Sequence, residues 1–284
     1  MAIFSNQATL TYNGNTTNSN IAYGELLDVV EATKTSIEGT YAPGDLVTYA
    51  VTLRNTGIAP LTGLTVTDDL GGYTFGATTL YPLTYEAGSV ALFVGGTPQA
   101  APTVTPGPPL VFSGITIPAG SDAVLVYQAR ANAYANPAAG GTIVNTITVT
   151  GDGISTPITA SETVSAVSEP ALTISKSITP AQVVDNDRVT YTFVIQNSGS
   201  QPVVATDNAA INDLFDPILS ALTVTFNGTP WTQGVQYNYN QSTGQFTTVP
   251  GQITVPAATY TQNPVTGEYS ITPGISTLTV TGTI

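Results

Sequence analysis

Hydrophobic and polar positions alternate along most of this chain with a period of two. Val47-Thr48-Tyr49-Ala50-Val51-Thr52-Leu53 followed by Arg54-Asn55-Thr56-Gly57 is representative: a run of Thr, Val and Tyr, then turn formers. Alternation over five to eight residues predicts half-buried strands, and turn signals about every 8–12 residues point to antiparallel sandwiches. No window keeps apolar residues at i, i+3, i+4 and i+7 long enough to predict a helix. The expected fold class is all-β.

The alternation is also duplicated. Tyr41 to Gly57 matches Val183 to Gly199, with Asp45 over Asp187 and Asn55-Thr56-Gly57 over Asn197-Ser198-Gly199. Upstream of each lies a strand with a lysine, Ala32 to Ile37 around Lys34 and Ile174 to Ile178 around Lys176. Downstream, Leu64 to Leu70 corresponds to Ala209 to Phe215, which sets Asp68 over Asp213. Phe93 to Pro98 then matches Phe226 to Pro230, and Ala123 to Tyr127 matches Thr277 to Thr281. Two copies of one fold are expected.

The copies end differently. The first continues into Gly141 to Gly151, which reads as a final strand through Ile143, Asn145, Ile147 and Val149; the second stops before any such strand. The N-terminus, Phe4 to Gly14, aligns with that final strand, with Asn6 on Asn145. The expected organisation is therefore residues 1–22 as an N-terminal donor strand and hinge, 23–165 as the first β-sandwich, and 166–284 as a second lacking its final strand.

A sandwich without an edge strand exposes a hydrophobic groove and a row of unpaired backbone groups. Phe4, Ala8, Leu10 and Tyr12 share one face of the orphan strand and fit such a groove. This is the pattern of donor-strand complementation. Burying four apolar side chains at ~1.5–3 kcal/mol each gains on the order of 5–10 kcal/mol before ordering costs. In trans the contact is head-to-tail and builds an open filament of identical subunits. Asn15 to Asn20 are read as the hinge. The alternatives are a disordered tail, or folding back in cis, for which a ten-residue hinge at ~3.3 Å per residue is short.

The same alternation places Lys34, Asp68 and Asn145 inward on three strands, and likewise Lys176, Asp213 and Asn6. Unpaired, each would cost several kcal/mol. An autocatalytic isopeptide bond uses all three: a desolvated lysine attacks the Asn carboxamide, and a buried carboxyl acts as general acid. The first domain then carries Lys34, Asp68 and Asn145 in one chain. In the second, Lys176 and Asp213 take Asn6 of the next subunit, which links subunits covalently. The competing readings are a buried Lys–Asp ion pair with Asn as hydrogen-bond partner, or a lysine on the outward face after a one-residue slip; a register wrong by one would also bring Asp69 or Glu31 in place of Asp68.

Composition narrows the remaining choices. Among 284 residues there are 5 Lys+Arg against 18 Asp+Glu, a net charge of -13, with no His and no Cys. No basic footprint exists for nucleic acid or anionic membranes, and imidazole and thiol chemistry are excluded. No apolar run approaches ~18 residues, so membrane insertion is not expected. The first residues carry no basic n-region or apolar h-region of a secretory signal. No cofactor and no metal is expected: Asp185-Asn186-Asp187 and Gly151-Asp152-Gly153 read as turns. The sequons at Asn15, Asn227 and Asn240 fit chance in an Asn/Thr-rich chain. Trp231 and the tyrosines suit sheet packing more than a sugar groove. No motif supports an enzyme, a glycosidase with paired carboxylates included.

The run of Lys34, Gly44-Asp45-Leu46-Val47-Thr48-Tyr49, Asn55-Thr56-Gly57, Val66-Thr67-Asp68-Asp69-Leu70 and Ile143-Val144-Asn145-Thr146-Ile147 resembles the conserved-repeat domain of bacterial surface proteins. The opening Phe4 to Tyr12 and the closing Thr277 to Ile284 are similar to short signal-less members from spore-forming anaerobes. The resemblance implies tandem immunoglobulin-like sandwiches on a cell or spore surface and a structural role rather than an enzymatic one. The resulting expectation is a subunit of an extracellular pilus-like or spore-appendage fibre. A monomeric adhesin or carbohydrate-binding module is the runner-up.

Overall fold

The computed structural model describes residues 2–26 and 29–284, with the backbone alone at Ala2, Glu25 and Leu26. The fold is all-β, with one 3-10 turn among the described residues, at Ala205–Asp207. It divides into two compact units, residues 1–136 with 142–165, and residues 137–141 with 166–284.

Alternation along each strand builds the first sandwich. In Leu46–Asn55 every second side chain from Val47 on is buried, and Asp122–Ala131 repeats this from Ala123. These two strands pair at the centre of one sheet, with Tyr49 opposite Tyr127, and the lysine strand Val30–Ser36 forms its edge beside Leu46–Asn55. The facing sheet runs Thr103–Thr105, Leu110–Ile117, the aspartate strand Leu61–Asp68, the asparagine strand Thr142–Thr150, Ile158–Ala166 and Thr40–Tyr41. Between the sheets lie Leu64, Val66, Phe112, Leu125, Ile147 and Val149.

The second unit keeps the plan with a shorter second layer. One sheet runs Leu172–Thr179, Arg188–Asn197, Gly274–Thr283, Ser220–Phe226 and Thr229–Trp231. Facing it is a sheet of three strands, Asn212–Leu214, Gln245–Thr248 and Tyr237–Asn240. Phe193, Leu278 and Val280 of the first layer share one core with Phe215, Tyr239 and Phe246 of the second. Trp231 stacks on Phe226 with centroids 4.9 Å apart and belongs to this packing.

Asn55 and Asn197 sit at equivalent corners, wholly buried. Asn55 Nδ2 donates to the carbonyls of Ala59 and Pro118, and its Oδ1 accepts from Gly57 N–H. Asn197 Nδ2 donates to Gln201 and Pro256, and its Oδ1 accepts from Gly199 and Ala171 N–H. The repeated Asn-x-Gly is thus a staple that satisfies the backbone of a buried corner.

Three features depart from the sequence reading. Residues 15–20 are not a hinge: Asn15–Asn18 pairs with Thr9–Tyr12, and Ala22–Leu26 pairs with Ala2–Asn6, so residues 2–26 form a two-armed hairpin. The Asn13-Gly14 turn, with φ of 46° and 76°, supplies the type I′ geometry that such a connection favours. The single donor strand is also two strands, interrupted at Gln7 and Ala8, where Ser19 bonds across through its hydroxyl and its backbone. Finally, Val280 rather than Thr281 takes the place of Tyr127, because Val280 lies opposite Tyr191 as Tyr127 lies opposite Tyr49. A Thr/Val alternation gives little to fix register against a one-residue slip.

Candidate functional site: two lysine–aspartate pairs

In the first sandwich, Lys34 Nζ donates to Asp68 Oδ2 at 2.7 Å, and neither side chain is exposed to solvent. Asp68 is held at both oxygens: Oδ1 accepts from Leu70 N–H at 2.7 Å, and Oδ2 also accepts from the Tyr127 hydroxyl. The lysine nitrogen lies 4.7 Å from the centroid of Tyr49 and 5.9 Å from that of Tyr127. Burial pulls the Lys34 amine below the usual lysine range, against the opposing pull of Asp68. Burial also pushes both tyrosine hydroxyls up, so each remains a proton donor.

Asn145 completes the site. It lies two residues from Ile147, which pairs with Asp68, and its strand meets the lysine strand across the core. The residue is wholly buried, and neither carboxamide atom makes a well-formed hydrogen bond. The side chain is close enough to the Tyr49 and Tyr127 hydroxyls to favour their ionised forms slightly, an effect that burial outweighs. A buried amide with no well-formed hydrogen bond is costly.

The slip alternatives do not reach the amine. Asp69 Oδ1 accepts from the backbone N–H groups of Gly71 and Thr146, both at 2.9 Å, and so fastens the asparagine strand to the aspartate strand. Glu31 is exposed.

The second sandwich repeats the pair without the seal. Lys176 Nζ lies 2.5 Å from Asp213 Oδ2, and its nitrogen sits 4.6 Å from the Tyr191 centroid, 5.5 Å from Phe193 and 5.2 Å from Phe215. Its side chain is 37% exposed and that of Asp213 17%. Asp213 Oδ1 accepts from Leu214 N–H at 3.0 Å. With Val280 where the first site has Tyr127, no hydroxyl reaches Asp213 from that strand.

The exposure has a structural cause. Asn212–Leu214 pairs with Gln245–Thr248 on one side, and among the described residues no strand pairs with its other side. In the first sandwich the equivalent side of Leu61–Asp68 is covered by the asparagine strand, and Ile158–Ala166 follows. The inward positions of the lysine strand Leu172–Thr179 are uncovered as well: Leu172, Ile174 and Ile178 are exposed, as are the other residues of the strand.

The N-terminal hairpin has the complementary character. Asn6 lies opposite Ala22, and Phe4 opposite Gly24. Ile3, Phe4, Ala8, Leu10, Tyr12 and Tyr23 are all exposed, so the described residues of the chain bury none of its donor face. The structure thus brings Lys34, Asp68 and Asn145 together, and Lys176 with Asp213. Sequence reasoning missed two participants in the first site, Tyr49 and Tyr127, whose inward alternation was the available signal.

Among the described residues no helix is long and apolar enough to cross a membrane, and no three acidic residues gather in a way that would hold a metal ion. Asp187 instead caps its own turn by accepting from Val184 N–H.

No protein-family model and no curated protein matches the chain. Solved structures with similar architecture include the pilus backbone RrgB of Streptococcus pneumoniae, at 10% identity and a TM-score of 0.35 over 86% of this chain and 55% of that one. The full-length major pilin SpaD of Corynebacterium diphtheriae shows 11% identity and a TM-score of 0.37 over 85% and 58%. A 35 kDa C-terminal fragment of the Streptococcus agalactiae major pilin shows 12% and 0.34 over 86% and 91%. The chain therefore spans little more than half the length of the first two. At TM-scores of 0.34 to 0.37 the similarity carries no argument about function, which rests on the two lysine–aspartate sites.

Proposed function

We propose that this chain is a structural subunit of an extracellular fibre, pilus-like or a spore appendage, assembled head to tail by strand exchange. The N-terminal segment of one subunit covers the open edge of Asn212–Leu214 in the next. The observation that carries this reading is the contrast between two copies of one site. Lys34 and Asp68 are sealed by an asparagine strand, whereas Lys176 and Asp213 lie at a bare edge, and residues 2–12 repeat the asparagine strand with nothing to cover.

Both sites then support isopeptide formation. In the first, the Lys34 ammonium passes one proton to Asp68, 2.7 Å away, and the free amine attacks Cγ of Asn145. Protonated Asp68 stabilises the developing oxyanion, while Tyr127 and Leu70 N–H keep the carboxyl in place. The amine's second surplus proton goes to the carboxamide nitrogen. The C–N bond breaks, and ammonia leaves with the Asp68 proton as ammonium. In the second, Asn6 of the neighbouring subunit supplies the carboxamide to Lys176, with Asp213 in the role of Asp68. Desolvation by the incoming strand is what activates this amine, so chemistry follows docking.

Boiling in SDS tests this reading: a ladder of multimers is expected, and monomer alone contradicts it. A monomeric adhesin is the second reading, favoured by one observation. Leu80, Tyr81, Tyr85, Asn132 and Tyr134 line a cleft of about 420 Å³ in the first unit, aromatic with a few polar groups.

A further inference from the structure

We infer that the N-terminal hairpin selects its acceptor through its second arm, by setting Ala22 of one subunit against Ile178 of the next. The inference rests on the proposed exchange and adds what makes it specific. In the first sandwich the asparagine strand is followed by Ile158–Ala166, in which Glu162 stands opposite Asn145. Glu162 Oε1 accepts from the Ser36 hydroxyl at 2.7 Å and from Ser36 N–H at 3.2 Å. The second arm is thereby fastened to the edge of the lysine strand, two residues beyond Lys34.

Each member of this clamp has a counterpart in the exchanging pair. Ala22 stands opposite Asn6 as Glu162 stands opposite Asn145. Ile178 lies two residues beyond Lys176, as Ser36 lies beyond Lys34, and it is 38% exposed. Both positions change together, from carboxylate and hydroxyl in one chain to methyl and sec-butyl across two chains.

Crossed combinations are poor. Glu162 against Ile178 would set a carboxylate against an apolar side chain and take away its hydroxyl donor, and Ala22 against Ser36 would leave that hydroxyl without its acceptor. The pairing therefore favours the N-terminal hairpin at the second sandwich of a neighbour and disfavours it at any first sandwich. The exchanged unit is accordingly the whole hairpin, because its second arm carries the selecting residue.

Three full-length variants test this: Ala22→Glu, Ile178→Ser and the double variant. The readout is the rate at which SDS-resistant multimers appear, with the Asn6–Lys176 cross-linked peptide counted by mass spectrometry. Ala22→Glu is expected to slow assembly about tenfold or more, and the double variant to recover to within about threefold of the parent, since the clamp is re-created in trans. Both sandwiches should melt as in the parent, because Ala22 is exposed in the isolated chain. Parental rates for Ala22→Glu, or a double variant no faster than it, overturn the inference while leaving the exchange intact. A parent chain that never forms multimers overturns the exchange itself.

Discussion

The ring of Phe4 lies flat against Gly24, its cross-strand partner, so closely that any Cβ at position 24 would overlap the ring. Ile143 and Val164 form the same pair in the first sandwich, both buried. A bulky aromatic against nothing thus replaces two aliphatics, and the glycine allows it. Because this contact forms within the hairpin, the donor face is shaped before it meets an acceptor, which lowers the ordering cost of docking.

Gly24→Val should displace the Phe4 ring and slow the appearance of SDS-resistant multimers about tenfold, from lost pre-organisation and apolar contact. Melting of the two sandwiches should not change, since the described hairpin side chains lie outside both cores. Gel densitometry and a thermal scan check both halves.

Asn145→Ala removes the carboxamide that Lys34 would attack. The parent chain should weigh about 17 Da less than its sequence from loss of ammonia in the first domain, and the variant should show no such deficit. A bond from residue 34 to 145 closes a loop of roughly a hundred residues. On the chain-entropy argument its loss should cost the first sandwich about 4–5 kcal/mol. Intact mass and denaturant unfolding measure the two effects.

The uncross-linked first sandwich should also become pH-sensitive. Burial holds the Lys34 amine below its unfolded value near 10.5, so the unfolded chain binds more protons between the two values. Stability of Asn145→Ala should accordingly rise with pH through that window, be fully present above the unfolded value, and be lost as pH falls through the folded one. Comparison with Lys34→Met/Asn145→Ala, where this slope should vanish, isolates the contribution from the rest of an acidic chain.

Asn197→Ala strips two donors and two acceptor contacts from a buried corner, leaving the Gln201 and Pro256 carbonyls and the Gly199 and Ala171 N–H groups unpaired. We expect about 2–4 kcal/mol of destabilisation in the second sandwich and none in the first. Calorimetry that resolves two transitions would show only one of them move.

Much of this was legible in the sequence where period-two alternation has a sharp polar interruption. Asp68 and Asn145 each stand among apolar neighbours at even spacing and their burial follows directly, while Lys34, between Ala32 and Ser36, is read inward through its repeat partner Lys176, which alternates with Leu172, Ile174 and Ile178. Where the alternation is bland, register is lost: Thr277 to Thr281 offers Thr at every second position, and Val280 was displaced by one. The second arm of the hairpin was hidden for a different reason. Asn15–Asn18 is wholly polar, so periodicity is silent there, and only the Asn13-Gly14 turn marks a returning strand. The clamp between Glu162 and Ser36 spans 126 residues of chain, a distance at which no local pattern operates.

The most direct measurement is tryptic or chymotryptic mass spectrometry on the bands above monomer after boiling in SDS. The account requires a branched peptide joining Asn6 of one subunit to Lys176 of another, about 17 Da lighter than the sum of its parts. Multimers dissolved to monomer by boiling, or bands in which Asn6 and Lys176 are recovered only as free residues, would contradict it.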